Sequence, residues 1–280
     1  MTTDDIAGGS SNGFAFGKNW QAFLNRVDGR HVEASRRGLQ RLLRRDSLDG
    51  VAMLDLGCGS GLSSAAAHAL GADVTSVDVD ADCIACTETL RRRFASETRR
   101  WRIRRGSVLD PDFMASLGQF DLVYSWGVLH HTGDLATALR HAVDAVSSPG
   151  GELAIAIYND QGGSSRRWRA IKRGYGKLPT WFRPIYVAAI AGVFEVRFAA
   201  ARLLQLRNPL PLADWRSKLN DRGMSAWHDW VDWIGGDPFE VATPEAIIMP
   251  MIDRGLELKN LRTVGSGWGC NEFLFRRVTR

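Results

Sequence analysis

The chain has 280 residues, of which 45% are apolar and 24% charged, an ordinary balance for a soluble globular protein. Lysine and arginine outnumber aspartate and glutamate by 36 to 31, giving a net charge of +5. Four cysteines are too few for a disulfide framework, and the first residues, MTTDDIAGGSSNG, lack the basic start and apolar run of a signal peptide.

In chain order, residues 1–13 are expected to be a disordered leader. Residues 14–48 hold a helix-like segment, NWQAFLNRVDGRHVEASRRGLQRLL, which carries His31. From Val51 strand-like and helix-like runs alternate. VAMLDLG predicts a buried strand and SSAAAHAL a small-residue helix. DVTSVDVD, WRIRRGSV, FDLVYSW and GELAIAIYN predict four further strands, with helices over ADCIACTETLRRRF and DLATALRHAVDAV. This rhythm implies a parallel sheet covered by helices across residues 49–160. After Asn159 it breaks, and residues 161–240 read as a largely helical insertion covering a substrate. Residues 241–280 supply a closing helix and strands, the last, GCNEFLFRR, expected to be antiparallel. The expected fold is therefore α/β, a doubly wound, mostly parallel seven-stranded sheet.

Three segments invite other functions. Cys83 and Cys86 form a C-x-x-C, but its setting is helical and no second pair completes a zinc site, so no metal is expected. Residues 91–105 contain eight arginines, which would suit a nucleic-acid surface. The simpler reading is a solvated helix face followed by an exposed strand edge. Residues 184–206 are apolar but interrupted by Glu195, Arg197 and Arg202, too broken for a transmembrane span. A lid, an interfacial helix and a contact between copies in a homo-oligomer remain open for it.

The chemistry centres on Gly57-Cys58-Gly59-Ser60-Gly61, which ends one strand and opens a helix. Glycines there let a backbone approach a ligand. The third comes one place early for the dinucleotide fingerprint. Asp55, just before the loop, would repel a pyrophosphate and suit a cation. Asp78 ends the next strand, where an acid can accept both hydroxyls of a ribose. A cationic nucleoside, S-adenosylmethionine, meets both requirements.

LDLGCGSG, VDVD, GSVLD and FDLVYSWGVLHHTGD together resemble the class I S-adenosylmethionine-dependent methyltransferases, Rossmann-like enzymes, in the small-molecule flavour related to quinone O-methyltransferases. The resemblance covers about residues 50–160 and, more weakly, the closing strands. It implies that Asp55, Gly57, Cys58 and Gly59 hold the methionine part of the cofactor. Asp78 would bind the ribose, Val79 would pack on the adenine, and Ser107 and Val108 would edge it. Ser107 departs from the aspartate that many relatives carry beside that glycine. Ser125, Trp126 and Gly127 would line the methyl-transfer mouth, and the segment with His31 would close over the cofactor.

Methyl transfer is an in-line displacement, so the protein must hold the acceptor and take up its proton. His130, His131 and His31 are the candidate bases. Tyr158, Asn159, Asp160 and the His228–Asp229 pair are further polar candidates. The expected reaction is a metal-free, cytoplasmic methylation of a small, partly hydrophobic or aromatic metabolite, of the kind found in secondary metabolism, releasing S-adenosylhomocysteine. Oxygen is the favoured acceptor atom, with carbon and nitrogen open. An RNA- or protein-directed methyltransferase and a cofactor-binding scaffold are the competing readings.

Overall fold

The computed structural model describes residues 27–96, 99–206, 208–210, 226–265, 267 and 269–278. The proposed leader and the side chains of His228 and Asp229 lie outside the described residues.

Seven strands form one sheet: β1 (Ala52–Leu56), β2 (Asp73–Asp78), β3 (Trp101–Arg105), β4 (Leu122–Trp126), β5 (Glu152–Tyr158), β6 (Leu256–Arg262) and β7 (Cys270–Arg277). Their spatial order is β3-β2-β1-β4-β5-β7-β6. β7 runs antiparallel to both neighbours, and the remaining pairings are parallel. The expected architecture is the one observed. The strand order reverses between β1 and β4, and ligands bind at the carboxyl ends flanking such a switch.

Helices α1 (Gly29–Leu43), α2 (Leu62–Ala69), α3 (Ala81–Phe94), α4 (Pro111–Leu117) and α5 (Leu135–Asp144) precede β5. α6 (Gly163–Lys177), α7 (Arg183–Leu204), α8 (Ala226–Gly235) and α9 (Pro244–Asp253) follow it. The central strands β1, β4 and β5 are buried on both faces because helices cover both. One core packs Met53, Ala66 and Leu90 beneath α1, and the other packs Leu54, Val123 and Phe273 beneath α5 and α9.

Several boundaries differ from the sequence expectation for local reasons. β3 stops at Arg105, where the Gly106 N–H donates to the Asp78 carbonyl at 3.0 Å. The short α4 was not expected, yet it has a written start. Asp110 caps the N–H groups of Asp112 and Phe113, and Pro111 occupies the first turn. α6 forms despite Gly174 and Gly176 because Ser165, Trp168, Lys172 and Tyr175, at helical spacing, are all buried on one face. Among the described residues, no helix is long and apolar enough to cross a membrane.

At the opposite, amino edge of the sheet the buried Glu152 accepts from Arg45 at 2.7 Å and from Arg276 at 2.7 Å. Glu152→Ala would leave two guanidinium groups facing each other without their carboxylate. Both arginines are partly exposed and can rehydrate, so a cost of about 2–3 kcal/mol is expected. Thermal unfolding would report it as a Tm lowered by about 5–10 °C. An unchanged Tm would show that this triad contributes nothing.

Candidate functional site

β1 delivers the glycine loop at the switch point. Gly57, Gly59 and Gly61 all have positive φ. A Cβ on Gly57 would stand 2.2 Å from Val128 Cγ1, so a side chain there meets both strain and collision. The loop is tied to β2. Gly57 and Cys58 donate their N–H groups to the Val77 carbonyl, and Gly59 donates to Asp78 Oδ2 at 2.9 Å. Thr87 of α3 donates to the Gly59 carbonyl and lies 3.2 Å from the buried Cys58 thiol. Cys83 and Cys86 are also buried on α3, where they pack inward.

Asp55 is buried, and its carboxyl is pushed up to about 7. Burial is the main cause and the Asp78 charge adds to it, while a hydrogen bond from Ser64 opposes both. Asp78 is also raised, chiefly by burial, against backbone N–H donors from Asp80 and Gly59. Two carboxyls held above their usual range on either side of a glycine loop favour a cation between them. Val79 follows with 64% of its surface exposed, an apolar side chain left uncovered beside Asp78. Ser107 accepts the Leu109 N–H, and the Val108 carbonyl accepts from His141.

The end of β4 divides its three candidates. Trp126 is exposed and its indole N–H donates to Glu272 at 2.9 Å, so it leans towards β7. Gly127 has φ 77°, and a Cβ there would meet nothing within 4 Å. Ser125 is fully buried, and its hydroxyl donates to the Leu56 carbonyl at 2.8 Å. Its side chain joins β4 to β1 inside the sheet instead of lining a mouth.

His130 and His131 follow on a short 3-10 turn, Leu129–His131, with ring centroids 4.6 Å apart. Their bonds assign opposite tautomers. Nδ1 of His130 accepts the Tyr158 N–H at 3.4 Å, which puts the proton of the neutral ring on Nε2. That Nε2 is buried and has no hydrogen-bond partner among the described residues. Nδ1 of His131 lies 2.6 Å from the Pro238 carbonyl, which only accepts, so Nδ1 carries the proton and Nε2 the lone pair. Burial, with His131 and the Lys172 ammonium nearby, holds His130 well below the usual imidazole range. Burial also pushes His131 down to about 4, against the Pro238 carbonyl and with help from Lys172.

His31 is engaged elsewhere. Its ring meets Asp28, the cap of its own helix, at 2.8 Å, and no described contact brings it to the other two histidines. The Tyr158 ring packs against His130 at a tilt of 42°, with centroids 4.1 Å apart. Asn159 bonds Gly265 and Asn271, and Asp160 caps the Gly162 N–H. The arginine run is dispersed over α3 and the edge strand β3. Arg91 pairs with Glu88, Arg99 with Asp49, and Arg105 with the Val79 carbonyl.

Sequence reasoning missed the return of residues 237–242 to this site. Glu240 donates its N–H to the His130 carbonyl and accepts the Leu135 N–H, and Asn159 bridges to Ala242. The Asp237–Pro238 dipeptide was the available sign of an ordered turn there.

A family model described as a methyltransferase domain matches residues 54–153, the segment holding the loop, Asp78 and the histidine pair. An uncharacterized methyltransferase of Mycobacterium tuberculosis is 36% identical over 109 residues, covering 38% of this chain and 50% of its own. The ubiquinone biosynthesis O-methyltransferase of Rhodopseudomonas palustris is 30% identical over 123 residues, 44% of this chain and 43% of its own. This chain thus spans about half the length of the curated relatives it matches. Magnesium protoporphyrin IX methyltransferase of Synechocystis PCC 6803 has the same fold, with a TM-score of 0.54, 12% identity and 93% of each chain covered. The [4+2]-cyclase SpnF shares it at a TM-score of 0.52 and 13% identity, covering 88% of this chain and 82% of its own. The chain therefore has the Rossmann-like fold of these neighbours, with α6–α8 following β5.

Proposed function

We propose that this chain is an S-adenosylmethionine-dependent methyltransferase that methylates a small, partly hydrophobic or aromatic metabolite, on oxygen. The observation that carries the reading is the pair of acids at the glycine loop, the buried Asp55 just before it and Asp78, whose Oδ2 takes the Gly59 N–H at 2.9 Å, which sets negative charge where a pyrophosphate would have to approach. Asp55 takes the cationic methionine end beside Gly57, Cys58 and Gly59. Asp78 accepts the ribose hydroxyls, the exposed Val79 covers the adenine, and Ser107 and Val108 edge it. When bound, the cofactor supplies an electrophilic methyl on a sulfonium. Trp126 and Gly127 flank the transfer mouth, with Ser125 holding β4 in place from within.

Of the histidines, His131 suits the proton acceptor, because its lone pair lies on Nε2 while the Pro238 carbonyl orients the ring. His130 suits a donor, since Nε2 already carries a proton. A weak base suffices here, because an acceptor hydroxyl becomes strongly acidic as its oxygen gains the methyl. The aromatic side chains of Tyr158, Trp168, Trp233 and Phe239 pack together beside this pair and make its surroundings apolar. The ubiquinone biosynthesis O-methyltransferases among the relatives support oxygen. Incubation with methyl-labelled cofactor and fractionated metabolites tests the reading; label in a methyl ether supports it, and label only in RNA or protein overturns it.

Asp55 also sets a pH dependence. Its carboxyl is half protonated near pH 7 without ligand and must ionise to meet a cation. Cofactor affinity is therefore expected to rise up to about tenfold per unit from pH 5 towards 7, then level off. Calorimetry across that range checks this, and affinity that falls with rising pH would remove Asp55 from the site.

A further inference from the structure

Behind Asp55 lies a chain of buried polar side chains that no motif announced. Trp101 Nε1 lies 2.8 Å from Ser76 Oγ, Ser76 Oγ lies 2.6 Å from Ser64 Oγ, and Ser64 Oγ lies 2.5 Å from Asp55 Oδ2. The two serines are fully buried, and Asp55 and Trp101 nearly so. With Asp55 ionised, chemistry fixes every direction in this chain. An indole N–H only donates and an ionised carboxylate only accepts, and each hydroxyl has one proton. Trp101 therefore donates to Ser76, Ser76 to Ser64, and Ser64 to Asp55.

We infer that Ser64, Ser76 and Trp101 form a directional relay that positions the Asp55 carboxylate and favours its ionised form, making Trp101, at the sheet's edge strand, a positioning residue for cofactor capture. Aligned donors in a water-free interior polarise one another, so the far end is felt at the carboxylate. The surrounding titratable groups do not replace it. The Cys58 thiol and the Tyr124 hydroxyl are both pushed upward by burial, and Asp78, on β2, adds negative charge.

This inference rests on the methyltransferase reading, and its test uses binding, not turnover. S-adenosylhomocysteine, which keeps the ammonium, is titrated calorimetrically into wild type, Ser64→Ala, Ser76→Ala and Trp101→Phe between pH 6 and 9. Near pH 7 Ser64→Ala is expected to bind about tenfold more weakly, and Ser76→Ala and Trp101→Phe about threefold. The pH midpoint of binding should move upward in the same order, and all four proteins should converge to within about twofold at pH 9, where Asp55 is ionised regardless. Structural damage would weaken binding by the same factor at every pH. That result, or variants indistinguishable from wild type, overturns the relay alone. Wild type that binds no S-adenosylhomocysteine at any pH overturns the methyltransferase reading with it.

Discussion

His131→Ala is expected to lower kcat by about a hundredfold to ten-thousandfold while cofactor affinity stays near wild type. The loss follows from removing the lone pair that the Pro238 carbonyl aims by holding the other ring nitrogen. His131→Gln keeps an N–H for that carbonyl but has no basic nitrogen, so it should restore stability without restoring rate. In the wild type, an imidazole pushed down to about 4 is neutral across the physiological range. With cofactor saturating, kcat should therefore be flat from pH 6 to 8 and fall as pH drops towards 4 and the ring protonates. Single-turnover rates in both variants decide the matter. Activity within about threefold of wild type in His131→Gln would exclude His131 as the proton acceptor.

Asp78→Ala is expected to weaken S-adenosylhomocysteine binding by about 1–3 kcal/mol, roughly fivefold to 150-fold in Kd. Two losses combine. The ribose hydroxyls lose their acceptor, and the Gly59 N–H loses the carboxylate oxygen 2.9 Å away that shapes the loop. Asp78→Asn should fall between wild type and alanine, because one oxygen survives as an acceptor while the amide N–H groups oppose the Gly59 donor. Calorimetry at pH 8, where Asp55 is largely ionised, isolates this effect from the titration of Asp55. A Kd unchanged by Asp78→Ala would move the ribose elsewhere.

The legible parts of the site share a physical character. The glycine loop, Asp55 before it and Asp78 at the end of the next strand belong to contiguous strand–loop–helix units, whose conformation is dictated within a few residues. Gly57 illustrates this, since its positive φ is a conformation that residues with a side chain rarely adopt. Residues whose role depends on distant partners were read less well. Ser125 sits at the expected strand end, yet its hydroxyl bonds Leu56, 69 residues away in sequence. His31 is the local exception: a candidate base in sequence, its ring is engaged by Asp28, three residues earlier, in the capping of α1.

The amino-acid sequence by itself determined the alternation of strands and helices, the position of the glycine loop, and the acids on either side of it. Each of those depends on local periodicity or on a conformation that only certain residues adopt. Only the tertiary structure decided what the polar side chains inside that frame do. Tyr158 and Pro238, 28 and 107 residues from the histidines they bond, give His130 and His131 opposite tautomers. Trp101 reaches Ser76 across 25 residues and begins the chain that ends on Asp55. Hydrogen-bond direction and buried charge depend on which groups the folded sheet brings together, and spacing along the chain does not encode that.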